Sequence, residues 1–182
     1  YWTDALATVS YPTPAAAGSG TYYIKGTSPA TGCYDIKPVT VMVNPLPTAT
    51  ISGTASVCLD GASPNITFIG ANGTAPYTFT YAINGSDNQT VTTTSGNNSV
   101  TIAVPTGTAG TFTYALVSVS DASSTACSQA QSGSATVTVT STNTIALTSA
   151  VGTDAQTKCI NTAITNITYS TTGATGATFA GL

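Results

Sequence analysis

Apolar and polar residues alternate with a period of two along most of the chain. In GTFTYALVSVS (110–120), Phe112, Tyr114, Leu116 and Val119 define one side, and a slip at Val117 predicts a β-bulge in a half-buried strand. ATVTVT (135–140) and PVTVMVN (38–44) alternate cleanly. TYYIKGT (21–27), NITFIG (65–70), YTFTYAI (77–83), QTVTTTS (89–95), SVTIAV (99–104), TIALTSA (144–150) and NITYST (166–171) read as further strands. Turn formers separate them: Gly73, Pro76, Asn84-Gly85, Gly96-Asn97-Asn98, Pro105 and Gly107. Nowhere do apolar residues recur at helical spacing over three turns. Short strands at intervals of about 8–12 residues predict an all-β, antiparallel sandwich.

The pattern also repeats. CLDGASPNITF (58–68) returns as CINTAITNITY (159–169), and two Gly-aromatic strands, GTYYIKGTSPATGC (20–33) and GTFTYALVSVSDASSTAC (110–127), each lead to a Cys and then to a Val/Thr strand. Cys33 to Cys127 is 94 positions and Cys58 to Cys159 is 101, intervals that match one small immunoglobulin-like sandwich. The expected organisation is therefore tandem immunoglobulin-like β-sandwich domains. Residues 1–46 read as the C-terminal part of one repeat, 47–141 as a complete repeat and 142–182 as the N-terminal part of a following one, so that the chain reads as an excerpt. In VNPLPTATISG (43–53), Pro45 and Pro47 bracket Leu46, fixing two φ angles and removing two donors. That segment is expected to be a stiff, extended connector rather than part of a sheet.

Composition narrows the function. The 182 residues include no His, Arg or Glu, and the ionisable side chains beyond Tyr and Cys are Lys25, Lys37, Lys158, Asp4, Asp35, Asp60, Asp87, Asp121 and Asp154. General acid–base work wants a His or a carboxylate pair with separated pKa values, and a nucleophilic Ser or Cys wants a base beside it. Scattered Asp residues offer neither, so no catalytic residue, cofactor or metal is expected. A net charge of −3 with three Lys disfavours nucleic acid and anionic membrane surfaces, both of which draw on clustered cations. The Thr-, Ser- and Val-rich remainder is too rich in β-branched and aromatic residues for a disordered tract. No apolar run approaches the ~20 residues that span a bilayer, and YWTDALATVS lacks the basic and apolar regions of an export signal.

TYYIKGTSPATGCYDIKPVTVMVNPLPTATISGTASVC (21–58), ASPNITFIGANGTAPYTFTYAING (62–85) and CINTAITNITYSTTGATGATF (159–179) resemble the Ig-like repeats of very large surface proteins from gliding Bacteroidota, the group that includes SprB-like adhesins and other gliding motility-associated proteins. The resemblance covers nearly the whole chain. It implies export by type IX secretion, an extracellular position at the cell surface, and a non-catalytic role as stalk or adhesive module in attachment or gliding. The partners it implies are neighbouring Ig-like repeats of the same chain, surface polysaccharide or other cells, and filament assembly. The competing reading is an accessory carbohydrate-binding Ig-like module of a secreted glycoside hydrolase.

An exported protein normally oxidises its Cys pairs. The repeated Cys frame then leads to an expected Cys58–Cys127 bridge, with Cys33 and Cys159 paired outside this segment. The alternatives are four unpaired, buried thiols, and a Zn site, disfavoured because no close Cys-x-x-Cys pair and no His is present. Asp60, Asp87 and Asp121 fall in loops, where turn capping is the better reading and Ca²⁺ the other. Tyr1, Trp2, Tyr22 and Tyr23 read as core aromatics or as a platform for sugar.

Overall fold

The structure, a computed structural model, describes residues 1–174. Among these, regular structure is β except for one turn of 3₁₀ helix at Pro14–Ala16. In chain order the strands are β1 (Gly20–Thr27), β2 (Tyr34–Val41), β3 (Thr48–Ser52), β4 (Ala55–Cys58), β5 (Asn65–Ala71), β6 (Thr78–Ile83) and β7 (Gln89–Thr92). There follow β8 (Ser99–Ala103), β9 (Gly110–Ser120), β10 (Ser128–Ala130), β11 (Ser134–Thr140), β12 (Thr144–Leu147) and β13 (Tyr169–Thr172).

The three-stranded sheet has the order β3-β5-β8 and the larger sheet β4-β11-β9-β6-β7, with β10 added to β9. β1 with β2, and β12 with β13, make separate two-stranded sheets. The all-β expectation holds, with one exception to its antiparallel rule. β4 runs parallel to β11, with Ala55 level with Val137 and Cys58 level with Thr140. Parallel pairing of distant segments leaves no local turn signal to read.

Alternation decides which side chains meet. On β5, Ile66 and Phe68 are fully buried while Ile69 beside them is 41% exposed. β6 turns Phe79 and Tyr81 inward, β9 turns Tyr114, Leu116 and Val119, and β11 turns Ala135, Val137 and Val139. Phe68 of the smaller sheet stacks on Phe79 at 5.5 Å between ring centroids and meets Tyr81 at 5.1 Å, so the two sheets face each other across one aromatic core. Every member of that core, and every apolar residue packed on it, lies between Ala49 and Val139. The slip read at Val117 is real: Thr80 pairs with Ser118 and Tyr81 with Leu116, leaving Val117 as the extra residue. The bulge changes the parity of β9, which is how Leu116 and Val119 both reach the core.

Other expectations need correction. TATIS, placed in the connector, is β3, and fully buried Pro47 enters it from just before its first residue, where a missing N–H costs no ladder bond. The connector between β2 and β3 therefore shrinks to residues 42–47. ASVC is β4, and SQA is β10, strands too short to show alternation. β2 begins and ends earlier than PVTVMVN, and β7, β12 and β13 are shorter than the patterns that announced them. The turn after β6 is as read: Asn84 (φ 52) and Gly85 (φ 72) are both left-handed, and the Ser86 N–H donates to the Ile83 carbonyl at 3.0 Å.

Each Cys-led stretch ends in an antiparallel pair of strands. β3 pairs with β5 so that Ile51 faces Phe68, and β12 pairs with β13 so that Leu147 faces Tyr169. Phe68 and Tyr169 hold the same place in CLDGASPNITF and CINTAITNITY. The surroundings differ: Phe68 is buried between two sheets, whereas Tyr169 is 46% exposed.

Truncating Phe68 should expose this dependence. Phe68→Ala is expected to lower the stability of the two-sheet unit by about 3–5 kcal/mol, and Ile69→Ala on the outer face by under about 1 kcal/mol, in urea unfolding followed by far-UV circular dichroism. Equal losses would show that Phe68 does not join the sheets.

Candidate functional site

The most constructed polar region lies where β9 ends. Asp121 is the first residue past that strand and is 7% exposed. Its Oδ2 accepts the Thr74 N–H at 2.9 Å and its Oδ1 accepts the Ser123 hydroxyl at 2.8 Å. The Ala122 N–H donates to the Thr74 carbonyl at 2.8 Å, and the Asp121 N–H donates to the Cys127 carbonyl at 3.0 Å. The loops at 72–76 and 121–127 are thus one block. Gly73 makes this approach possible, since a Cβ there would stand 2.7 Å from Asp121 Oδ2. Tyr77 holds Gly73 from the other side, its hydroxyl donating to the Gly73 carbonyl at 2.7 Å and accepting the Gly73 N–H at 3.1 Å.

The outer side of this block receives the connector. Asn44 Nδ2 donates to Ser124 Oγ at 3.1 Å and to Thr125 Oγ1 at 3.0 Å. Cys127 Sγ lies 4.0 Å from the Asn44 carbonyl oxygen and 3.0 Å from Thr125 Oγ1. Nearby, Asn72 Nδ2 donates to Thr48 Oγ1 at 3.1 Å, and Gln131 Oε1 accepts the Ala49 N–H at 3.1 Å. All of these contacts are between uncharged groups. The one carboxylate, Asp121, sits behind them. Burial alone pushes its carboxyl up, but the hydrogen bonds led by that of Thr74 outweigh burial and hold its pKa below the ordinary value.

The expected Cys58–Cys127 bridge is not formed, and all four cysteines are free thiols. Cys58 is level with Thr140, next to the pair Val139–Gly110, and so lies at the Gly110 end of β9. Cys127 packs against Asp121 at the other end. Eleven residues of extended β9 separate the two ends, on the order of 30 Å, whereas a disulfide needs Cα atoms within about 7 Å. Counting positions between cysteines does not register which end of a strand each reaches. Nor are the thiols buried: Cys33, Cys58 and Cys159 are exposed and Cys127 is half-buried. Cys33 occupies the connection between β1 and β2, as Cys127 occupies that between β9 and β10.

The carboxylates stand apart. Asp60, in a left-handed turn (φ 58) whose N–H donates to the Thr106 carbonyl, and Asp87, in the turn after β6, lie toward the Gly110 end, opposite Asp121. Asp4 caps its own loop, taking N–H donors from Leu6, Thr8 and Val9, and the bond from Val9 is the leading cause of its lowered pKa. Asp35 pairs with Lys37 at 3.0 Å in the open. Of the aromatic set, Tyr1 and Tyr22 meet Tyr11, which the sequence had not singled out, in a hollow of about 180 Å³ shared with Pro14, Ala17, Val39 and Val41. Tyr11 and Tyr22 spend their hydroxyls on the Ala16 and Gly18 carbonyls, each at 3.1 Å. Trp2 and Tyr23 are joined instead through two backbone hydrogen bonds of 2.9 Å. A larger hollow of about 440 Å³ is lined by Ile83, Val104, Pro105, Gly107, Thr108, Phe112 and Tyr114, with no carboxylate or amine.

No protein-family model matches the chain, and no curated protein matches it significantly. The functional reading therefore rests on the chain's own residues.

Asp121 gives a pH test. Its folded-state pKa is depressed, so its stabilisation is fully present above about pH 4, the unfolded value, and is lost as pH falls through the folded value. Asp121→Asn should lower stability at pH 7 by about 1–3 kcal/mol and flatten the acid limb of the stability profile, measured by urea unfolding at several pH values. An acid limb of unchanged steepness would remove Asp121 from this role.

Proposed function

We propose that the chain is a non-catalytic stretch of tandem Ig-like repeats, with residues 47–141 one complete repeat, belonging to an extracellular stalk or adhesin that acts in surface attachment or gliding. The observation that carries this reading is the recurrence of one ladder. Ile51 faces Phe68 of the first Cys-led stretch and Leu147 faces Tyr169 of the second, a like pairing at like positions that supports the repeat reading. The sheet orders β3-β5-β8 and β4-β11-β9-β6-β7 suit an immunoglobulin-like sandwich.

The topology also suits a load-bearing part. β4 stands near the start of this repeat and β11 at its end, and the two are parallel neighbours over Ala55–Cys58. A pull applied at opposite ends of the repeat slides these strands past each other. Their ladder is then loaded in shear, all bonds together, rather than opened one bond at a time. The hydroxyl-rich surface and the separated carboxylates fit a structural part better than a site of turnover.

Stretching the chain by its ends tests the proposal. One abrupt rupture is expected, releasing roughly 300 Å as the segment from β3 to β11 extends at ~3.4 Å per residue. Extension without a rupture would remove the mechanical role, and turnover of a glycan or peptide by the purified chain would remove the non-catalytic one.

A further inference from the structure

Cys58 and Cys127 cannot meet within one repeat, yet the repeat geometry brings their counterparts to the same joint. The pair Gly20–Val41 of the β1–β2 ladder corresponds to Gly110–Val139 of the β9–β11 ladder, so Met42 stands where Thr140 stands in the next repeat. Thr140 is the residue level with Cys58. In a repeat preceding this joint, the cysteine in the position of Cys58 therefore lies beside Met42. Cys127 reaches the same stretch, its sulfur 4.0 Å from the carbonyl of Asn44, two residues further on. Two cysteine positions from successive repeats thus converge on one short stretch of connector.

We propose that successive repeats are joined by a disulfide between the Cys58 position of one and the Cys127 position of the next. The inference rests on the tandem-repeat reading given above. The noncovalent joint includes exposed, neutral hydrogen bonds from Asn44, a weak hold on an angle under load because water competes for each of them. A covalent bond beside them would lock it. The chemistry is thiol–disulfide exchange with a small-molecule disulfide as oxidant. One Cys thiolate attacks the oxidant's S–S bond and releases a thiolate, and the second Cys thiolate then attacks the mixed disulfide and releases the other. The protein loses two protons and two electrons, which appear in the two thiols of the reduced oxidant. Both positions are open to such a reagent, Cys58 exposed and Cys127 half-exposed.

The test is a chain in which the repeat is doubled in frame, residues 1–140 followed directly by 43–182, with Cys33→Ser and Cys159→Ser throughout. One version carries Cys127→Ser in the first copy and Cys58→Ser in the second, leaving the two thiols at the shared joint. The mirror version carries Cys58→Ser in the first copy and Cys127→Ser in the second, leaving them at the far ends. After oxidation with glutathione disulfide, non-reducing peptide mapping should find the Cys58–Cys127 bridge, with complete loss of free thiol, in the first version alone. Limited proteolysis reports separately whether both copies fold. Two folded copies with free thiols in the first version, or equal bridging in both versions, would overturn the disulfide and leave the tandem reading standing. A second copy that fails to fold would overturn both.

Discussion

The contact of Phe68 with Phe79 and Tyr81 makes two sheets into one body, and the other defined features follow outward from it. With Phe68 fixed on the inner face of β5, Gly70 two residues on must also face inward, and it is there that the Tyr77 ring lies. A Cβ at Gly70 would stand 2.5 Å from Tyr77 Cγ, so the ring seats only because the side chain is absent. The seated ring sends its hydroxyl to Gly73, Gly73 admits Asp121, and Asp121 ties down the loop that receives Asn44. A packing choice at the centre therefore determines the position of the connector at the rim.

This path explains how much of the fold the sequence discloses. Alternation is a property of a single strand, so β5, β6, β9 and β11 are legible, and so is the bulge at Val117, because parity changes within one strand. β3, β4 and β10 carry mostly small residues over three to five positions, and what makes them strands is a partner elsewhere: Ile51 opposite Phe68, Val57 beside Val139. Asp121 reads as a turn former. Its main partner, Thr74, is 47 positions away and no local pattern points to it. The cysteines are the sharpest case. Their spacing suggests a pairing, yet the assignment of partners depends on which end of β9 each occupies, and spacing is silent on direction.

The shortage of charge decides how loops are held. Among the described residues one ion pair joins side chains, and it is exposed. Loop geometry is carried instead by amides and hydroxyls acting on backbone groups: Asn84 on Thr111 and Thr113, Gln156 on Thr153 and Thr165, Asn44 on the loop after β9. Such bonds are short in range and specific in direction, so each fixes one chain crossing and little else.

Neutral bonds of this kind also respond weakly to ionic strength. Salt bridges at a joint would weaken as added salt shortens the screening length toward a few ångströms, whereas an amide donating to two hydroxyls has no net charge to screen. The connector at Asn44 therefore keeps its geometry across salt conditions that would loosen a charged joint. Its limit is strength rather than sensitivity, because neutral bonds open to water exchange readily when pulled. Under the load-bearing role proposed above, direction from Asn44 and strength from the proposed covalent link would be complementary, and the same few residues of connector are where both would be met.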